Sequence, residues 1–342
     1  MVQSSWYPDI THSYYQVLGD RYRVDPERKT VTGPLVAPGD SGLLDTGVKI
    51  EIRAGGPAVG FVPIDELMWR DRSITLGQQG TDEQLIAASR GRSILAVFAP
   101  LDLEPLVLMW DTAEHPDFNT VQDVGATNVP VLTIKDDPST LYLVATGILR
   151  ESQLADGYDG SPRPWLRTGR KAVIAGYATK DPYTLGLIAR NEISSSLVAE
   201  AGYPNYPRTT VTIRKEDRPA LDGCLKRLIP MMQRAHAAFM SDPERVINTV
   251  SKLNSAYKAI YAYTPPIARY GYQVMKDEAL VFTGRDGRVG DFDLSPRGRV
   301  ERLINTLRPV YSTRGITLPP LTPEDVATND YLAPVGLPSD TD

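Results

Sequence analysis

Val48-Lys49-Ile50-Glu51-Ile52-Arg53-Ala54-Gly55-Gly56-Pro57 alternates apolar and polar residues and then breaks at Gly-Gly-Pro. That is the pattern of a strand with one buried face running into a turn. Downstream, Asp65 to Trp69 has helical character and Ile74-Thr75-Leu76-Gly77 is a second short strand. Asp82 to Ser89 reads as a helix opened by the capping pair Thr81-Asp82, and Ile94 to Phe98 is a continuous apolar strand of the fully buried kind. Strand and helix alternate here, which predicts an α/β sheet covered on both faces.

Working outward, Leu106-Val107-Leu108-Met109-Trp110 is another buried strand after Pro105. Val131 to Ile134 then starts a fresh series, with a helix over Ser139 to Thr146 and a strand over Lys171 to Ala175. The chain thus divides into one α/β unit up to about Trp110 and a second up to about Arg208. Two long helices are expected at Arg218 to Met240 and Pro243 to Tyr263, and a proline-rich strap from Leu318 onward. Residues 25 to 47, rich in Gly, Pro and Asp, read as an exposed loop.

The 342 residues exceed the size at which a single core stops growing, so two lobes are the default. A net charge of −5 argues against a nucleic-acid partner, which needs a clustered basic excess. The single cysteine, Cys224, rules out an internal disulfide, and its apolar surroundings predict a buried thiol. Three scattered histidines, His12, His115 and His236, form no metal-ligand spacing, and no nucleophile elbow or phosphate-binding loop is present. Neither a catalytic centre nor a metal or cofactor site is expected.

Aromatic residues carry the functional signal. Tyrosines number 17 against 6 phenylalanines, so most rings here can both stack and hydrogen-bond. Trp6-Tyr7-Pro8-Asp9-Ile10-Thr11-His12-Ser13-Tyr14-Tyr15 stands at the end of the first strand, a position that faces the ligand crevice in open α/β sheets.

The order Trp6-x-Pro8-x-x-x-His12, then Gly47 to Pro57, Ile74 to Gly77, Thr81-Asp82 and Ile94 to Ala99 resembles one group of solute-binding proteins. It is the group of ABC-transporter proteins that bind thiamine-pyrimidine precursors, riboflavin, sulfonates and nitrate. Gly147-Ile148-Leu149, Gly176-Tyr177-Ala178, Asp181-Pro182-Tyr183 and Ser241-Asp242-Pro243-Glu244 extend the likeness to about Asn254. Segments 25–46 and 155–170 depart from it as insertions, and Lys180 stands where the pattern often has Trp.

The resemblance implies a two-lobed, type II periplasmic-binding fold in which each lobe is a mainly parallel sheet flanked by helices. Residues 1–108 and 209–342 would form one lobe and 109–208 the other, with crossings near Pro105 to Asp111 and Tyr206 to Lys215. It further implies a monomer that captures a small aromatic or heterocyclic molecule and presents it to permease subunits. Such a protein works at the extracytoplasmic face, lipid-anchored or free, after its leader has been removed. Candidate ligand contacts are Trp6, His12, Gly55, Gly56, Gln78, Thr81 and Asp82 on one side, with Ser139, Tyr177, Asp181 and Tyr183 on the other. Arg53, Arg163 and Lys171 could serve an anion. An enzyme acting on a pyrimidine-like heterocycle, or a cytosolic ligand sensor, are the alternatives on the same fold.

Overall fold

The strands run, in chain order, β1 (Val2–Gln3), β2 (Arg23–Asp25), β3 (Thr30–Gly39), β4 (Gly42–Arg53), β5 (Leu76–Gln79) and β6 (Ile94–Phe98). They continue as β7 (Leu106–Asp111), β8 (Val131–Leu132), β9 (Leu154–Ala155), β10 (Val173–Tyr177), β11 (Ile193–Leu197) and β12 (Thr210–Arg214). These belong to a computed structural model that describes residues 1–39, 42–155, 157–284 and 287–337. They form a seven-stranded sheet, in the order β2-β3-β4-β1-β5-β12-β6, and a five-stranded sheet, β11-β7-β10-β8-β9.

The two-lobed α/β architecture matches the reading of the sequence, but the sheets are mixed rather than mainly parallel. In the first, β1 runs parallel to β4 and β5 while β12 lies antiparallel between β5 and β6. In the second, β7 lies antiparallel to both β10 and β11. Both reversals have one cause. β7 and β12 are the strands the chain enters directly after passing between lobes, so no crossover helix returns it to a parallel start. The chain passes from Phe98 to Leu106 and returns from Leu197 to Thr210. The expected crossings at 105–111 and 206–215 therefore fall largely on strands, and the passing segments pair at Leu101 and Arg208.

Residues 25 to 47 are not a loop. Described apart from Asp40 and Ser41, they form most of a hairpin of β3 and β4, in register from Thr30↔Arg53 to Gly39↔Gly42. The turn residues that suggested a loop instead make a bulge. Gly47 has φ +75°, its N–H donates to Asp45 Oδ1 at 2.9 Å, and the Thr46 hydroxyl donates to the Leu35 carbonyl at 2.7 Å. A bulge that satisfies its own amides protects an exposed edge from pairing with other chains.

The long helices are Arg218–Ser241 and Glu244–Tyr257, the second shorter than expected because Lys258 turns left-handed at φ 51°. They cover the first sheet through Leu225, Ile229, Phe239, Val250 and Leu253. Cys224 lies on their exposed side, a correction: the apolar stripe of the helix passes it by. The helix Arg299–Thr313 packs Leu303, Ile304 and Leu307 with Trp110, Val131 and Leu141, so late residues of the chain help close the second lobe. The tail from Leu318 includes a short helix, Pro323–Val326, and then lies beside β6, where Thr328 N–H donates to the Ala96 carbonyl at 2.9 Å. Residues 338–342 of the expected strap, and Asp156 of the second insertion, lie outside the described residues.

Candidate functional site

Two buried cations stand where the lobes meet, and most of the expected site residues gather round them. The first is Arg208, on the returning segment. Its Nη1 donates to Asp82 Oδ1 at 2.7 Å and to the Tyr206 hydroxyl at 3.1 Å, and its Nε donates to the Tyr177 hydroxyl at 2.9 Å. Glu104 Oε2 lies 3.3 Å from the same Nε. Gly80 makes this possible, since a Cβ there would come within 2.1 Å of the guanidinium. Gly80, not the expected Thr81-Asp82 pair, caps the helix Thr81–Ser89, and its N–H donates to Glu83 Oε2 at 2.7 Å.

Asp82 is fully buried and also accepts the Tyr203 hydroxyl at 3.1 Å. The Thr81 hydroxyl donates to the Pro207 carbonyl at 2.7 Å. Burial pushes the Glu104 carboxyl up to about 8 against the pull of Arg208, with Asp82 adding to the rise. Asp137 is raised in the same way, by burial first, and it accepts the Ser139 amide at 3.0 Å. Ser139 therefore serves the start of its own helix, Pro138–Ala145, at the rim of this cluster.

The second cation is Lys180, 7 % exposed. Its ammonium lies 5.4 Å from the centre of the Trp6 ring, 5.1 Å from Tyr261 and 6.0 Å from Tyr177. It donates to the Tyr261 hydroxyl, which also accepts the Trp6 indole N–H at 3.3 Å. Burial opposes its charge, but Asp181, Tyr261 and Asp9 outweigh burial and hold the ammonium above its ordinary range. Asp181 starts the helix Asp181–Ala189 and accepts the Tyr177 amide at 2.7 Å, the route by which it fixes the turn carrying Lys180.

Gly55 and Gly56 serve Trp6 rather than offering bare amides. Gly55 N–H donates to the Trp6 carbonyl at 2.9 Å, and a Cβ on Gly56 (φ +55°) would meet the indole at 2.3 Å. Gly160, from the second lobe, approaches the same ring, and a Cβ there would meet it at 2.7 Å. Gln78 is fully buried. Its Oε1 accepts the Ser5 amide at 3.1 Å and the Tyr14 hydroxyl at 2.9 Å, while its Nε2 has no partner. His12 is buried under Tyr14 and Tyr15, with ring centres 5.5 and 6.4 Å away, and burial lowers its pKa.

Tyr183 lies elsewhere. Its ring stacks on Tyr270 at 5.0 Å on the outer side of the boundary, beside an open groove of about 300 Å³ that also touches Leu187 and Ile193. A void of about 10 Å³, room for about one water molecule, is lined by second-lobe residues including Met109, Tyr158, Gly160, Asp181 and Leu185 and, from the first lobe, by Tyr261. Arg53 pairs with Asp71 at 3.7 Å, away from this space. Arg163 and Lys171 are exposed. Among the described residues no group of three His, Cys, Asp or Glu is placed to hold a metal ion.

Sequence reasoning passed over Arg208, Glu104, Tyr261 and Tyr158. Arg208 and Glu104 could have been suspected as charges inside the passing segments. Nothing in the sequence marks Tyr261, which only the packing brings to Trp6.

No family model and no curated protein matches the chain. Solved structures do. A ligand-binding component of an ABC-type import system from Staphylococcus aureus, with zinc bound, aligns with TM-score 0.58 at 9 % identity, covering 96 % of this chain and 97 % of that one. The periplasmic aliphatic sulphonate binding protein of Escherichia coli aligns at 0.53 and 14 % identity over 82 % and 83 %. The alkanesulfonate-binding protein of Xanthomonas axonopodis pv. citri, bound to MOPS, aligns at 0.51 and 14 % identity over 81 % and 88 %. The chain has the fold of the periplasmic binding proteins.

Proposed function

We propose that this chain is the solute-binding protein of an ABC importer, taking a small ring-bearing molecule between its lobes and presenting it to the permease. The observation that carries this reading is the position of Trp6 and Tyr177. Each stands at or just beyond the carboxyl end of a strand, β1 or β10, and both rings face Lys180 from opposite lobes. Carboxyl strand ends at a boundary between lobes are where α/β folds bind small molecules. The buried, unpartnered Gln78 Nε2 supplies a spare donor beside Ser5 and Trp6.

In this reading the lobes follow the two sheets and hinge on the segments that pair at Leu101 and Arg208. Trp6, Gln78, Tyr177 and Asp181 are the first ligand contacts. His12, Thr81, Asp82 and Ser139 hold the frame behind them. The protein acts as a monomer at the extracytoplasmic face and turns nothing over.

A thermal-shift screen across pyrimidines, flavins, aromatic acids and sulfonates tests the proposal. A hit should raise the melting temperature and change tryptophan fluorescence, and Trp6→Ala should abolish the response while leaving the fold intact. A hit that binds the variant as well as the parent removes Trp6 from the site. A screen without a saturable hit overturns the reading.

A further inference from the structure

One of the protein's own cations spans the interlobe boundary. Lys180 belongs to the second lobe, where its backbone is held by three bonds: its N–H donates to the Tyr177 carbonyl at 3.1 Å, and its carbonyl accepts the Thr184 amide and hydroxyl at 3.0 and 2.9 Å. Trp6 and Tyr261 belong to the first lobe, where both pack against its core. The side chain therefore crosses the boundary from a rigid turn into rings of the other lobe.

Three aromatic faces within about 6 Å attract an ammonium through their ring quadrupoles, most strongly where water is excluded. Asp181 and Asp9 add negative potential at the same place. The surroundings suit a cation and disfavour an anion. Among the described residues the only hydrogen bond of the ammonium is to the Tyr261 hydroxyl, so the carboxylates of Asp181 and Asp9 act on it through space and not through a direct bond.

We propose that Lys180 is a tethered latch: its ammonium, seated between Trp6 and Tyr261 of one lobe and Tyr177 of the other, holds the cleft closed, and a free ammonium ion of similar size can replace it. Gly160 of the second lobe packs so close to the Trp6 ring that a Cβ there would meet it at 2.7 Å, so a solute can reach the indole only after this contact opens. The proposal deepens the solute-binding reading and rests on the same cleft. Its test needs no knowledge of the solute.

Solution scattering on the whole chain, with no solute added, compares the parent with Lys180→Ala and Lys180→Arg. Lys180→Ala should show a larger radius of gyration, and Lys180→Arg should stay close to the parent. Tetramethylammonium chloride should then return Lys180→Ala to the compact form saturably, while sodium chloride of equal ionic strength does not, and the parent should not respond. Circular dichroism confirms that each variant is folded. If it shows Lys180→Ala unfolded, Tyr261→Phe takes its place, keeping the ring but losing the hydrogen bond, and should give a smaller expansion of the same sign. A folded Lys180→Ala as compact as the parent overturns the latch. So does an expansion that tetramethylammonium reverses no better than sodium. A latch that passes while the solute screen finds nothing leaves the device standing and sinks the importer reading. The opposite pair of results does the reverse.

Discussion

Arg208 and Lys180 lie close enough to share the ring of Tyr177, each 6.0 Å from its centre, yet the fold holds them in opposite ways. Arg208 meets the carboxylate of Asp82, the carboxyl of Glu104 and the hydroxyls of Tyr177 and Tyr206. Lys180 meets three rings and one hydroxyl. A planar guanidinium with five fixed donors suits a permanent cluster, whereas a compact ammonium among rings keeps few directional bonds to break. The difference separates a pivot from a latch. One cation sits on the segments that join the lobes and has no reason to let go. The other reaches across the gap and can leave.

The largest effect should come from breaking the pivot. Arg208→Met keeps much of the volume but strands buried Asp82 and Glu104, and removing one partner of a buried pair costs about 3–5 kcal/mol. Urea denaturation at neutral pH should show that loss. A change under 1 kcal/mol, on the order of an exposed pair, would mean the cluster is far better hydrated than its burial indicates.

Gly56→Ala strikes the latch side instead. The residue sits at φ +55° with the indole 2.3 Å from where a Cβ would be, and strained backbone of this kind costs about 1–3 kcal/mol. Tryptophan emission should shift as Trp6 is displaced. An unchanged spectrum with unchanged stability would show that the ring has room to move.

The Arg208 cluster should also respond to pH. Glu104 is pushed up to about 8 in the folded chain, against about 4.3 unfolded. A raised carboxyl contributes its stability below the unfolded value and loses it as pH rises toward 8, by at most about 1.4 kcal/mol per unit. Glu104→Gln should therefore gain on the parent steadily between pH 5 and 8. The buried His236, lowered to about 3 by burial, acts with the opposite sign and loses stability as pH falls below about 6.5. Comparing parent and variant at each pH cancels that background. A difference that stays flat would place Glu104 outside the titrating cluster.

The smallest effect is expected of Tyr183→Phe. Its ring stacks on Tyr270 beside the open groove and not on Trp6, and the stack needs no hydroxyl. Stability and solute binding should change by less than about 0.5 kcal/mol, as at most surface positions. A binding loss of about 0.5–1.5 kcal/mol, the net value of one hydrogen bond, would bring Tyr183 back into the site.

What the sequence alone determined was the local order. Ile94–Phe98 is the strand its unbroken apolar run announces, and the Val48 to Pro57 alternation ends where Gly55-Gly56-Pro57 breaks it. Helices 81–89 and 138–145 fall within a residue of their expected spans, because such patterns depend only on neighbours in the chain. The Gly- and Pro-rich stretch at 25–47 misled for the same reason. Glycine marks a bulge as readily as a loop, and only pairing with a second strand distinguishes them. The site followed the same divide. Trp6 and Tyr177 were legible as aromatic residues near strand ends. The cation between them was not, since a lysine is ordinarily a solvated charge and nothing near Lys180 in sequence predicts Trp6 or Tyr261. Those residues stand 174 and 81 positions away, 180 − 6 and 261 − 180. Only the closing of one lobe on the other brings them together, because ring faces and charges interact through space and not along the chain.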